Sequence, residues 1–450
     1  MAPIPPPEGT PPRAAALAIL RAVRRGEPFE RALDREATRL SDVDRRLAYE
    51  IAAGILRHEA ELDRILAPHA TRGWTAVSDR LKDLLRLGAY QLRFLDRIPP
   101  HAAVSTSVDL ARSLRGKKKS GFVNAVLRKV AAEREATGSG RAAGPGSGRT
   151  PAAGIPPDRL AAAYSHPAWL VDRWLDRFGP RETTALLEWN NRRPPLVLQP
   201  ARASLADIAR SLEQGGIPFR HLPHGMGLAL DRGRPAGLPG YREGAFLVQD
   251  AAQAWVIRFA DIPTNATVID ACAAPGGKTV ALSRVARLVV ASDRRRQRIP
   301  RLRQNIQRAA PGPVAVVVAE AQAPPVRDLP VVLVDAPCTA TGTLARHPDA
   351  RRRLQPDSLL RPVAYQAAIL EGVAGAVAPG GLLVYATCSL EPEENEQQVN
   401  RFLERHPGFR RDPPAGVPEE LLSPVGDLTV LPHRHMMDGA YAARLRRDTP

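Results

Sequence analysis

The chain has 450 residues, 44% of them hydrophobic, with a net charge of +17. This length exceeds one ordinary domain, and the apolar content is enough for packed cores, which excludes a wholly disordered chain. The basic balance favours a polyanionic partner, most simply nucleic acid, although an Arg-, Ala-, Pro- and Gly-rich composition also follows from a GC-rich genome.

Residues 1–12 are Pro-rich and read as a disordered tail. From Arg13 the apolar spacing turns helical. Leu47, Ile51, Gly54 and Ile55 recur behind a cap at Ser41, and Leu81, Leu84, Leu85, Gly88, Leu92 and Leu95 behind Ser78. Phe122, Val123, Val126, Leu127 and Val130 form a third stripe. Residues 13–134 are therefore expected to form an all-helical bundle. Its basic run Arg115–Lys119 reads as a loop, either a solvated turn or an RNA contact. Residues 135–157, rich in Gly, Ala, Pro and Ser, read as a flexible linker. Residues 158–243 suit a small α/β unit, with strands at 196–199 and 227–230 and a helix at Leu205–Gln214. A ferredoxin-like arrangement would fit.

From residue 244 the pattern repeats strand, loop and helix. Strands are expected at 267–270, 288–292, 314–318, 331–335 and 382–386, and helices at 279–287, 296–308, 359–377 and 393–405. Such alternation implies a mostly parallel, doubly wound sheet whose ligands sit beyond the carboxyl ends of its strands. The conspicuous residues fall there. The first strand runs into Asp270, Ala271, Cys272, Ala273, Ala274, Pro275, Gly276, Gly277, Lys278 and Thr279, a tight turn into a helix of the kind that seats a nucleotide. The second ends in Asp293, which suits either ribose hydroxyls or a helix cap. The fourth ends in Asp335-Ala336-Pro337-Cys338 and the fifth in Thr387-Cys388-Ser389. A Walker nucleotide-binding loop is the rival reading, but its first glycine is replaced by Cys272, and it leaves the cysteines without a task.

Three cysteines, Cys272, Cys338 and Cys388, cannot all pair, and none lies in a CxxC. With no secretory leader and no 18-residue apolar run, a cytoplasmic protein with reduced thiols and no membrane segment is expected.

Taken together, Cys272-Ala-Ala-Pro-Gly-Gly-Lys-Thr279, Asp335-Ala-Pro-Cys338 and Ala386-Thr-Cys388-Ser resemble the signature motifs of RNA cytosine-5 methyltransferases, the NOL1/NOP2/Sun group. Leu87-Gly-Ala-Tyr-Gln-Leu92, Pro99-Pro-His-Ala-Ala-Val-Ser105 and Gly121-Phe-Val-Asn-Ala-Val-Leu-Arg128 resemble the NusB-like helical domain of its bacterial RsmB/Sun type, which modifies 16S ribosomal RNA. The resemblance covers the chain apart from its termini and the linker. It implies an α/β fold: a class I, Rossmann-like methyltransferase domain at 244–450 with a seven-stranded doubly wound sheet, behind a NusB-like RNA-binding domain and a small ferredoxin- or RRM-like subdomain.

It further implies S-adenosyl-L-methionine as cofactor, 16S rRNA as partner, a monomer and no metal. Cys388 would be the nucleophile that adds to cytosine C6. Cys338 would assist proton removal and breakdown of the adduct, and Asp335 would contact the base. The loop Cys272–Lys278, Asp293, Glu320 and Asp335 would hold the cofactor. Glu320 stands where the group usually has the Asp of a Gly-Asp pair. Arg346–Asp349 is a candidate RNA contact, with His347 equally suited to packing or solvent. The segment His435–Tyr441 departs from the group's usual pattern and leaves the local wall of the substrate pocket open. Methylation of another RNA, such as tRNA or 23S rRNA, and a non-catalytic NusB-like RNA-binding factor are the alternatives.

Overall fold

The computed structural model describes residues 9–115, 117–136 and 156–449, the side chains of 114–118 excepted. The remainder of the expected linker, the first eight residues and Gly116 of the basic run lie outside them. The chain divides into two compact units, Met1–Arg192 with Leu344–Gln355, and Arg193–Thr343 with Pro356–Pro450.

The first unit is helical. Its elements are α1 (Thr10–Arg24), α2 (Phe29–Glu36), α3 (Asp42–Arg57), α4 (Glu59–Leu66), α5 (Asp79–Phe94), α6 (Pro100–Arg115), α7 (Lys117–Ala136), α8 (Pro157–Tyr164) and α9 (Ala168–Asn191). The Pro-rich tail ends sooner than expected. Helix α1 starts at Thr10, because Pro11 and Pro12 occupy first-turn positions where a missing N–H costs nothing. The Ser41 hydroxyl accepts the Asp44 N–H at 3.2 Å, so the expected cap of α3 is present.

The three apolar stripes meet in one core. Their glycines permit close helix approach: a Cβ on Gly54 would lie 2.0 Å from the Tyr90 ring, and one on Gly88 would lie 2.3 Å from Leu127. The basic run is not all loop, since α7 begins at Lys117. Lysines in a first turn oppose the helix dipole, which is why local sequence suggests a loop there. Helices α8 and α9 also group with this unit, whereas sequence patterning joins 158–195 to the strands that follow.

Residues Leu344–Gln355 fold into the same unit. Arg351 is buried and donates to Asn191 Oδ1 at 2.7 Å and Asn190 O at 2.5 Å, while Arg57 donates to Ala345 O at 3.0 Å. Burial, with Arg57 beside it, lowers the Arg351 guanidinium to about 9. The Arg346–Asp349 motif therefore belongs to the helical unit, where Asp349 accepts the Phe29 N–H.

The second unit holds two sheets. The smaller is antiparallel, in the order β2-β3-β1-β4, from β1 (Leu196–Pro200), β2 (Arg220–His221), β3 (Leu228–Leu230) and β4 (Phe246–Val248), with α10 (Leu205–Gln214) packed on it. The larger has eight strands: β5 (Thr267–Asp270), β6 (Leu288–Ser292), β7 (Val314–Val317), β8 (Leu329–Asp335), β9 (Val377–Thr387), β10 (Phe409–Arg411), β11 (Leu428–Val430) and β12 (Ala440–Arg447). Seven lie on the path β10-β12-β9-β8-β5-β6-β7, and β11 adds to β12 as the eighth. The run from β9 to β7 is parallel, while β12 enters antiparallel to β9.

The helices are α11 (Ala251–Ala260), α12 (Gly277–Leu282), α13 (Ile299–Ala309), α14 (Leu360–Ala374), α15 (Glu396–Arg405) and α16 (Pro432–His435). Helix α12 stops short of the expected 287. The backbone at 285–287 is instead bonded to the loop before β5, Asn265 N–H to Val285 O and Arg287 N–H to Ala266 O, both at 3.0 Å.

Two tests follow from this packing. Replacing Gly54 by Ala places a methyl inside the Tyr90 ring, and overpacking of this kind costs about 1–3 kcal/mol. Gly54→Ala should lower the denaturation midpoint of the helical unit accordingly; an unchanged midpoint would show that α3 and α5 separate freely. Asp270, at the end of the central strand, is fully buried. Its Oδ2 accepts from Thr279 Oγ1 at 2.6 Å, and its Oδ1 has no partner among the described residues. Burial pushes its carboxyl up from 3.8 to about 7. The folded state thus holds the proton more tightly than the unfolded chain, so stability falls as pH rises between those values. Asp270→Asn should remove that fall, and thermal unfolding of both proteins from pH 4 to 8 measures it; parallel curves would reject it.

Candidate active site

The strand order β9-β8-β5-β6-β7 arises because the chain runs outward from β5 to β7, then crosses back to begin β8 on the other side of β5. The loops after β5 and β8 therefore diverge and leave a crevice at the carboxyl edge. Along that edge stand Cys388 after β9, Asp335 and Cys338 after β8, the Cys272–Lys278 loop after β5, Asp293 after β6 and Glu320 after β7.

At one end of the row the Sγ atoms of Cys338 and Cys388 lie 3.3 Å apart, both thiols free and half-buried. The contact follows from strand pairing. In the parallel register of β8 and β9, Asp335 pairs with Ala386, so both chains reach their cysteine soon after leaving the sheet. The hydrogen bond with Cys388 and burial push the Cys338 thiol well above its ordinary value.

At the centre, Lys278 Nζ donates to Asp335 Oδ2 at 2.7 Å and also to Gln253 on α11. The lysine is buried, and Asp335 is about one-third exposed toward the crevice. The structure thus joins two residues that sequence placed on separate motifs. Gln253 had no motif to mark it. The loop itself turns at Gly276, whose φ of 107° lies in the left-handed region that favours glycine, and a Cβ on Gly277 would stand 2.9 Å from Gln249 Nε2. Cys272 is half-buried against the main core, and burial raises its thiol strongly, so it stays a protonated neighbour of the loop.

At the other end Asp293 is buried and its Oδ1 accepts the Arg295 N–H at 2.8 Å. Glu320 is exposed. It lies 3.8 Å from Arg294 and accepts from the Tyr365 hydroxyl at 3.3 Å, and the Arg294 guanidinium sits 4.7 Å from the Tyr365 ring centroid.

The thiol end is enclosed by a third loop. Gly342 N–H donates to Cys388 O at 3.0 Å, and Gly439 N–H donates to Gly342 O at 2.7 Å. A Cβ on either glycine would meet the other backbone at 2.7 Å. Asp250 caps α11 through Ala252 N–H at 3.0 Å and also accepts the Asp438 N–H at 2.9 Å. The unusual 435–441 segment therefore still anchors at Asp438 and Gly439. Sequence reasoning missed Thr339, Gln366, Glu394 and Asn395, whose side chains surround the cysteine loops together with that of Ser389. Glu394 lies in the acidic run Glu391–Glu396, and nothing local in that run marks the member that turns inward.

Comparison with known proteins accounts for nearly the whole chain. Residues 10–132 match the NusB family, 166–236 the ferredoxin-like domain of RsmF/B-like methyltransferases, and 260–446 the 16S rRNA methyltransferase RsmB/F family. The probable ribosomal RNA small subunit methyltransferase B of Synechocystis is 34% identical over 97% of this chain and 99% of its own. The ribosomal RNA small subunit methyltransferase B of Vibrio cholerae is 33% identical over 96% of each. Among solved structures, PH0851 superposes with a TM-score of 0.76 at 24% identity over 97% of this chain and 99% of that one. NSun6 from Pyrococcus horikoshii, solved with SFG, gives a TM-score of 0.55 at 19% identity over 63% of this chain and 99% of that one. These structural likenesses speak for the fold, and the sequence relatives decide the family: the chain belongs to the RsmB/F family of 16S rRNA methyltransferases.

Proposed function

We propose that the enzyme methylates C5 of a cytosine in 16S ribosomal RNA, using S-adenosyl-L-methionine and a transient bond between Cys388 and cytosine C6. The observation that carries this reading is the thiol pair, 3.3 Å apart beside the Lys278–Asp335 ion pair. No phosphate or hydride chemistry calls for that arrangement. The net charge of +17 suits an RNA substrate, and the names of the relatives direct it to the small subunit.

The carboxyl edge fits the cofactor by the chemistry of its groups. Carboxylates at the ends of three parallel strands suit a cation bearing ribose hydroxyls, and the glycine turn admits a close backbone. Cys272, Ala273, Ala274, Pro275, Gly276, Gly277 and Lys278 would line its methionine and ribose part, Asp293 would accept the ribose hydroxyls, and Glu320 would lie toward the adenine. When bound, S-adenosylmethionine supplies an electrophilic methyl group.

Cytosine C5 is a poor nucleophile. Addition of the Cys388 thiolate forms an S–C6 bond and moves the C5–C6 electron pair onto C5, the atom that would accept the methyl as its bond to the donor sulfur breaks. Asp335 contacts the base at N3 and the exocyclic amine as charge develops, and Lys278 holds that carboxylate in place. Loss of the C5 proton, assisted by Cys338, restores the double bond, breaks S–C6 and returns Cys388 as thiolate. A cytosine within a helix must first leave its stack.

A nucleotide hydrolase lacks a task for the two cysteines. A non-catalytic RNA-binding factor would have no need of the intact thiol pair. The reading includes a monomeric cytoplasmic enzyme, and among the described residues no helix is long and apolar enough to cross a membrane.

Labelled methyl transfer to 16S rRNA, with 23S rRNA and tRNA as comparators and 5-methylcytosine identified in the digest, tests the reading directly. Cys388→Ala should abolish transfer. Cys338→Ala should lower turnover by about a hundredfold or more and accumulate a covalent protein–RNA adduct. Full activity of Cys388→Ala would assign the nucleophile wrongly, and label confined to 23S rRNA or tRNA would overturn the substrate.

A further inference from the structure

The acidic stretch after the second cysteine, Glu391-Pro392-Glu393-Glu394-Asn395-Glu396, runs into the helix expected at 393–405. In the fold Glu394 is completely buried. Its Oε1 accepts the Thr339 N–H at 2.9 Å and Gln366 Nε2 at 3.0 Å, and its Oε2 accepts the Thr339 hydroxyl at 2.5 Å. A buried carboxylate is costly unless its oxygens are satisfied, and here donors from two other segments converge on it.

Those donors are the neighbours of the thiols. Pro337 and Thr339 flank Cys338, and Thr387 and Ser389 flank Cys388. Gln366 Nε2 also donates to Pro337 O at 2.9 Å. The Thr339 hydroxyl reaches Ser389 Oγ at 3.2 Å, and Ser389 Oγ lies 3.3 Å from the Thr341 hydroxyl. Asn395, adjacent to Glu394, accepts from Thr387 Oγ1 at 2.5 Å and donates to Ser389 O at 2.9 Å. Every residue bordering either cysteine is thus tied into one network. Through its carboxylate Glu394 joins this network to the Cys338 loop.

We propose that Glu394 is a positioning residue for the thiol pair: it fixes the Cys338 loop against the Cys388 loop, with its carboxylate close to the Cys338 thiol. The proposal rests on the reading that these thiols act on an RNA base. Its electrostatic part has a physical basis in the surroundings. A negative charge beside a thiol disfavours the thiolate, and Glu394 acts on Cys338 in that direction. The titratable groups around this pocket include Cys388, Cys272, Arg401 and Tyr385, whose hydroxyl donates to Glu394 O at 2.7 Å. Arg401 on α15 directs its guanidinium to Glu393 O and Gln398 instead, so it does not neutralise Glu394 by a hydrogen bond. The Glu394 carboxyl is itself raised, by burial, against the lowering effect of its donors.

The test uses the full-length protein and Glu394→Gln, which keeps the shape and removes the charge. Alkylation of Cys338 by iodoacetamide, followed across pH by peptide mass spectrometry, needs neither RNA nor methyl donor. Its midpoint should move to lower pH by about one unit, because the neighbouring charge is gone. In methyl transfer, kcat should fall roughly tenfold to a hundredfold with KM for RNA near the wild-type value, as expected for displaced reacting groups. A folded Glu394→Gln protein with the wild-type alkylation profile and wild-type kcat would overturn the proposal. Should Glu394→Gln fail to fold, Thr339→Val removes one donor and leaves the carboxylate; an unaltered kcat there would equally overturn it. If the wild-type enzyme itself transfers no methyl to cytosine, the functional reading fails, and the alkylation shift still judges Glu394 separately.

Discussion

The site depends on the register of two neighbouring strands. Strands β8 and β9 run parallel, with Val331 opposite Leu382 and Asp335 opposite Ala386. Because they share a direction, both chains leave the sheet at the same edge, and each meets a cysteine within a few residues. A slip of one residue would turn alternate side chains to the other face and displace one loop by about 3.3 Å, as far as the two sulfurs stand apart. The apolar run Val331–Val334, fully buried on both faces, fixes that register.

The sheet brings the loops together, but loops alone would not hold two sulfurs in contact. The backbone junction of Gly342, Gly439 and Cys388 O sets one side of the pocket, and neither glycine tolerates a Cβ. The network around Glu394 and Asn395 sets the other side. The residues in which the 435–441 segment departs from its family include Met436, which turns at a φ of 56° and is exposed. The two that make anchoring contacts, Asp438 and Gly439, lie beyond that turn.

What the sequence made legible follows from the range of the forces involved. Strand β5 and helix α10 match their expected bounds, because apolar patterning and caps are local. Helix α12 was overestimated because tertiary hydrogen bonds from the loop before β5 take the backbone that would have extended it. Strands β10 to β12 were not anticipated: β12 carries Arg444, Arg446 and Arg447, and its charge is satisfied by Asp412 and by carbonyls from other elements. The cysteines stood out through their motifs, yet the partners that orient them did not. Thr339 and Glu394 are 55 residues apart in sequence, and one inward-facing Glu in an acidic run has no local signature.

Two identical side chains acquire different roles only through their surroundings. Sulfurs 3.3 Å apart resist carrying two negative charges, so ionisation of the pair tends to stop at one. The question is then which sulfur keeps the proton. Around Cys338 the hydrogen bond with Cys388, burial and the nearby Glu394 charge raise the thiol, against the lowering effect of a backbone hydrogen bond from Cys388. The fold thus surrounds the two cysteines differently, through a buried carboxylate and strand register, and their spacing in the sequence does not show this.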